Sequence, residues 1–132
     1  MPARLPPLFA ALCALASPLA ADDSRPAAGA NGHVLLAECG EIVDFLDTGI
    51  NSATSIGGSY CLGMVNGMLN LNYIYQARRP AEPLFCLPRE VTVTNAEAAR
   101  VVVDYLKQHP EQLDLDQASL MFFAFRKTYP CH

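Results

Sequence analysis

What this sequence lacks narrows its chemistry before any element is placed. Its cations come no closer than pairs such as Arg78-Arg79. No basic stripe is there to neutralise phosphates, so nucleic-acid binding has no electrostatic footprint. No Cys-x-x-Cys pair occurs, which removes the commonest framework for structural zinc, and no metal is expected. Neither a phosphate-cradling glycine loop nor a serine-hydrolase elbow is present, so those two routes to group transfer are closed. The only strand-like stretch, Val91-Thr92-Val93, is too short to found a sheet. Nothing here asks for a cofactor.

One apolar run does occur, Leu5 to Ala21 behind Arg4, interrupted by Pro6, Pro7 and Pro18 and followed by Asp22 and Asp23. An early positive charge, a short apolar stretch and small residues at its end make a secretory signal peptide. Cleavage is expected after Ala21, with Ala20 the second choice. The run is too short and proline-broken for a membrane anchor, and Leu12 is large for the position before a lipidated Cys13. Residues 1–21 therefore read as leader, 22–31 as a flexible lead-in and 32–132 as one helical domain. With the leader gone, eight basic and thirteen acidic residues remain, a net charge of −5. That balance favours solubility.

Hydrophobic spacing then gives four helices. Asn31 is placed to cap a first helix, Gly32 to Asp47, whose buried stripe is Leu35, Cys39, Ile42 and Leu46. Thr48 to Gly58 reads as a long loop of glycines and small hydroxyl residues. A second helix, Tyr60 to Ala77 behind a Ser59 cap, reads as the central packing element, with Leu62, Val65, Leu69 and Tyr73 inward. Its Asn66, Asn70 and Asn72 lie on other faces. Gly63 and Gly67 share one face, so a second backbone is expected to approach there and repay the helical cost of glycine. Pro80 to Pro88 is a proline-punctuated crossing. Thr94 and Glu97 form a capping box that opens a third helix to Gln108, closed by His109-Pro110. Asp114 or Asp116 caps a fourth helix to Thr128, apolar nearly all round at Ala118 to Phe125 and so expected to be the most buried. The fold class is all-α, a compact four-helix domain with room for short extra helical turns.

Four cysteines survive processing: Cys39, Cys61, Cys86 and Cys131. An even count in a small exported chain reads as two disulfides, for which three connectivities exist. Antiparallel neighbours bring the end of helix four beside the segment before helix three, favouring Cys86–Cys131. Cys39–Cys61 then joins the first two helices. Each closed loop contributes roughly 3–4 kcal/mol in the chain-entropy account.

Cys61-Leu62-Gly63-Met64-Val65-Asn66-Gly67, Cys86-Leu87-Pro88, Tyr105-Leu106 with His109-Pro110-Glu111, and Tyr129-Pro130-Cys131 occur in this order. Together they resemble the Rap/Tai family of type VI secretion immunity proteins over about Val34 to the end. Met64 stands where that family usually has an aromatic residue, and the Thr48–Gly58 loop is longer than typical. The resemblance implies a small all-helical periplasmic protein, often dimeric, that binds and neutralises a secreted effector, commonly a peptidoglycan-cleaving amidase.

Enzymatic readings are weaker. His109 beside Cys61 or Cys86 would suit a cysteine hydrolase, but paired cysteines have no thiolate to offer. Asp114 and Asp116 pose as paired carboxylates yet sit where helix caps belong. No catalytic residue is expected. The partner surface is expected at Thr48, Asn51, Ser52, Thr54 and Ser55 in the loop, and at Gln76, Arg78 and Arg79 near the end of helix two. A rival reading is an acid-stress chaperone using Met64, Met68 and Met121 for promiscuous contact. Another is an immunity-like envelope protein with no cognate toxin.

Overall fold

A computed structural model describes residues 30–49 and 56–132. Four α-helices occur in the order α1 (Gly32–Thr48), α2 (Ile56–Arg78), α3 (Asn95–Gln108) and α4 (Gln117–Thr128), with a 3-10 turn at Pro110–Gln112 before the last. No strand occurs among the described residues; a single antiparallel bridge pairs Asn31 with Asp116. The leader and most of the lead-in lie outside the described residues, as do Asn51, Ser52, Thr54 and Ser55.

Three helix starts obey local chemistry. The Asn31 side chain accepts from the Val34 amide at 3.3 Å. Thr94 accepts from the Glu97 amide at 3.2 Å while Glu97 returns a bond to the Thr94 amide at 2.8 Å. Asp116 accepts from the Ser119 amide at 2.9 Å, so Asp116 and not Asp114 caps α4. Each side chain takes an amide that the first turn leaves without an intrahelical partner. At the other end of α1, Gly49 adopts φ +66°, the left-handed geometry that closes a helix.

The packing centre differs from the sequence expectation. α1 packs as extensively on α3 as on α2, and α3 also receives α4. The core runs through Leu35 and Cys39 of α1, Ala99, Val102, Val103 and Leu106 of α3, and Leu120, Met121 and Phe125 of α4, all essentially inaccessible. α2 contributes only Cys61, Val65 and Asn72 as fully buried large residues. It is a flank, not the hub. α2 also begins at Ile56, one turn before the expected Tyr60, so Ser59 lies inside the helix, and Thr48 and residues 56–58 of the expected loop are helical.

Further stripe positions are corrected. Leu46 and Tyr73 are exposed instead of inward, and Leu62 and Leu69 are half-buried. α4 buries Leu120, Met121, Ala124 and Phe125 but leaves Ala118 and Phe123 exposed, so its outer side faces water. Gly63 and Gly67 are exposed, and no described atom lies within 4 Å of where a Cβ would stand on either. The close approach belongs to Gly32 instead. A Cβ there would lie 2.8 Å from the Leu113 backbone, so the chain before α4 can cross directly over the start of α1.

Both disulfides form as the topology favours: Cys39–Cys61 between α1 and α2, and Cys86–Cys131 between the crossing and the C-terminal segment. The first is sealed, with both residues at 0% exposure. The second lies at the rim, Cys86 half-buried and Cys131 exposed.

Candidate functional site

The C-terminal end of α2 and the proline-rich crossing build a concave surface. Asn72 is the residue that organises it. Its amide donates to the Phe85 carbonyl at 3.1 Å, and its oxygen accepts from the Phe85 amide at 3.3 Å. A buried side-chain amide thus replaces both strand-like partners that the Phe85 backbone would otherwise lack. Gln76, one turn on, donates to the same carbonyl at 3.2 Å. The Phe85 ring, held in this way, stacks tilted against Phe125 of α4 with centroids 5.2 Å apart. Sequence reading placed Asn72 on a polar face; it is 1% exposed. Only its partner, thirteen residues away in an irregular segment, accounts for that.

With Phe85 fixed, the crossing curves around a cavity of about 520 Å³. Gln76, Pro80, Pro83, Cys86, Leu87, Arg89, Cys131 and His132 line it. A second hollow of about 270 Å³, bounded by Pro83, Leu84, Arg126 and Pro130, reaches Cys131 from another side. No carboxylate side chain lines either one, although the chain as a whole is acidic. The Cys86 amide donates to the Tyr129 carbonyl at 2.9 Å, so the disulfide is accompanied by a backbone bond. Arg79 lies 3.6 Å from Glu82 and over the Tyr75 ring, while Arg78 is exposed at the helix end. Arg79 is therefore tied down locally.

The expected partner residues do not form one patch. Gln76, Arg78 and Arg79 border the cavity end of α2. Thr48 is exposed at the end of α1, its hydroxyl donating to the Asp44 carbonyl at 2.7 Å. A different surface, unforeseen, runs along α2. Tyr60, Leu71, Tyr73 and Ile74 are all exposed, beside the open Gly63 and Gly67. No charged residue occurs from Ile56 to Ala77. The signal was present in that uncharged stretch, but it was assigned to the core.

The polar clusters tie elements of the fold together. His109 Nδ1 is 3.2 Å from Glu111, and Lys127 Nζ is 2.8 Å from His109 Nε2. An ammonium has only protons to give, so Nε2 accepts and the ring proton sits on Nδ1 facing Glu111. That chain ties the turn after α3 to the end of α4. Hydrogen bonds, first from its own backbone and from His109, hold the Glu111 carboxyl below the usual range. Bonds from Ser119 do the same for Asp116. Both thiols offered to a cysteine-hydrolase reading, Cys61 and Cys86, are in disulfides. Among the described residues no group of three or more His, Cys, Asp or Glu is placed to hold a metal ion.

One carboxylate is out of place. Glu38 packs against the first turn of α2, its Cγ 3.0 Å from a Cβ built on Gly57. Its Oε2 is buried and has no hydrogen-bond partner among the described residues. Burial first, and the neighbouring Glu41 second, push the Glu38 carboxyl above its ordinary range.

Compared with known proteins, residues 31–131 match the family of Rap1a immunity proteins, which spans the whole described helical unit. No curated protein and no solved structure matches the chain.

Proposed function

Because the chain belongs to the Rap1a immunity protein family, we propose that it is an exported immunity protein that binds and neutralises a type VI effector of the peptidoglycan-amidase class. The family match across residues 31–131 carries this reading. Two disulfides fit export to an oxidising compartment, and no described helix is long and apolar enough to cross a membrane. On this reading residues 1–21 are removed on export, 22–31 are a lead-in and the domain works in the periplasm. No catalytic step is assigned to the chain: it acts by occlusion.

The effector-facing surface is placed at the cavity end of α2, around Gln76, Arg78 and Arg79 and the crossing that Asn72 fixes. A rigid concave rim held by a disulfide loses little conformational freedom on binding, which favours affinity. Thr48 at the end of α1, with Asn51, Ser52, Thr54 and Ser55 beyond it, supplies a second contact. A homodimer is placed on the uncharged face of α2, because Tyr60, Leu71 and Ile74 stand exposed beside Gly63 and Gly67. Two acidic copies meet there without charge repulsion. A chaperone role draws no support from the methionines, since Met121 is fully buried and Met64 and Met68 pack on the core.

The test is to purify the oxidised chain with the amidase-like protein encoded nearest its gene and measure binding and protection. A stable complex, loss of peptidoglycan cleavage and survival of cells receiving the effector in the periplasm are expected. Neither binding nor protection with any neighbouring effector overturns the proposal.

A further inference from the structure

We propose that Cys86–Cys131 is a thiol-exchange site, opened by an external thiolate under conditions that leave Cys39–Cys61 intact. The inference stands apart from the identity of the protein's partner. It rests on a difference in access. Cys39 and Cys61 are both at 0% exposure beneath α1 and α2. Cys131 is exposed and lines two hollows, of about 520 and 270 Å³, and Cys86 faces the larger. Exchange needs an attacking thiolate to reach one sulfur in line with the other, so a sealed disulfide reacts only through an opening of the fold.

The charges around the site also favour the reaction. Arg89 lines one hollow and Arg126 the other, and no acidic side chain lines either. Arg89 forms no ion pair with a described residue. Cations beside a sulfur stabilise thiolates, both the one arriving and the one released.

The chemistry balances. A thiolate attacks the Sγ of Cys131, the more exposed partner; a new S–S bond forms and Cys86 leaves as thiolate. A second thiol, as its thiolate, then displaces Cys131, giving the small-molecule disulfide and a reduced Cys86/Cys131 pair. Two electrons pass from the two external thiols to the protein. The fold survives the step. Cys86 still donates to the Tyr129 carbonyl, Asn72 still holds Phe85 on both sides, and the Tyr129 ring stays against Phe125 at 6.4 Å. Opening therefore loosens the rim and leaves the bundle standing.

The experiment uses the oxidised exported chain, reduced glutathione in graded amounts, quenching with N-ethylmaleimide without denaturant, and peptide mass spectrometry. Labelling of Cys86 and a glutathione adduct on Cys131 are expected at least about tenfold faster than any labelling of Cys39 or Cys61, with the helical circular dichroism unchanged. Equal rates, earlier opening of Cys39–Cys61, or an adduct confined to Cys86 overturn the proposal. The Arg89→Ala variant, at an exposed position, separates access from charge. Its reaction with glutathione, which carries net negative charge besides its thiolate, is expected to slow several-fold, and that with 2-mercaptoethanol, whose thiolate is its only charge, to slow less. No slowing with either reagent overturns the part given to the cation.

Discussion

The two disulfides invert the usual ranking of cross-links. Cys86–Cys131 closes the longer loop, with a sequence separation of 45 against 22, so chain entropy alone ranks it higher by about half a kcal/mol. Yet Cys39–Cys61 lies in the core, where its sulfurs also fill space, while the longer bridge ties a rim. Burial, not loop length, should decide which one the fold cannot lose. A cross-link of the interior is structure; one at the rim is free to serve the site it borders.

The sharpest way to break this comparison is to delete each bridge in turn. The paired substitution Cys39→Ala with Cys61→Ala removes about 3 kcal/mol of loop constraint and adds a core cavity worth about another 1–2 kcal/mol. Against a typical stability of about 5–15 kcal/mol, denaturant unfolding should show a chain near the edge of folding. Cys86→Ala with Cys131→Ala is expected to cost less, about 3.5 kcal/mol, because its larger loop constraint is lost without opening a core cavity. If the second pair proves the more damaging, loop length governs and the interior–rim distinction fails.

Next in size is Asn72→Ala, which tests whether the rim has a second anchor besides sulfur. The buried Phe85 amide would lose its acceptor while its carbonyl kept Gln76. A stranded buried donor costs about 1–3 kcal/mol. Urea unfolding should register that loss, and native-state labelling of Cys86 after reduction should accelerate. By contrast, Gln76→Ala removes a shared, half-buried bond and is expected to cost under about 1 kcal/mol. Equal losses from the two would mean that Asn72 is not the anchor.

Gly67→Ala probes the middle of α2. The position is helical, exposed and open for at least 4 Å, so added helix propensity should stabilise the monomer by about 1 kcal/mol. If a second copy packs on that face, the same methyl group should weaken self-association in sedimentation runs while thermal stability of the monomer rises. A loss of monomer stability would show that the face packs within the chain after all.

How much of this was legible follows the range of the forces involved. The caps at Asn31, Thr94 and Asp116 were readable because donor and acceptor lie three residues apart. The disulfide pairing followed from helix order. The position of α2 did not, because apolar residues cover both of its faces and the pattern cannot say which side meets α1. Gly63 and Gly67 show a missing side chain, and sequence alone does not reveal what stands opposite. Asn72 looks like surface until Phe85 is placed beside it. The early start of α2 depends on α1, whose Glu38 packs on Gly57. The rim cavity exists only because these tertiary contacts bend the crossing, so its lining was visible in part, through Gln76, while Arg89 was not.

Glu38 gives the smallest effect and the finest test of the sealed end. Its carboxyl is raised by burial, then by Glu41, so the folded state binds its proton more tightly than the unfolded chain does. The cost of the charged form is therefore present above the folded pKa and relieved as the pH falls through it. Glu38→Gln keeps the shape and removes the charge. At neutral pH it should raise stability by less than about 1 kcal/mol, a bound set by the side chain's partial exposure to solvent. Below the ordinary carboxylate range the gain should vanish, because wild-type Glu38 is then neutral as well. Asp116→Asn should behave in the opposite sense. The lowered Asp116 carboxyl stabilises above its unfolded pKa, and that contribution fades as the pH falls through the folded value. Melting curves from pH 7 down to about pH 3 would separate the two. A Glu38→Gln variant that is destabilised at neutral pH would mean that the carboxylate is paired in solution, and the sealed end would then hold a partner for it.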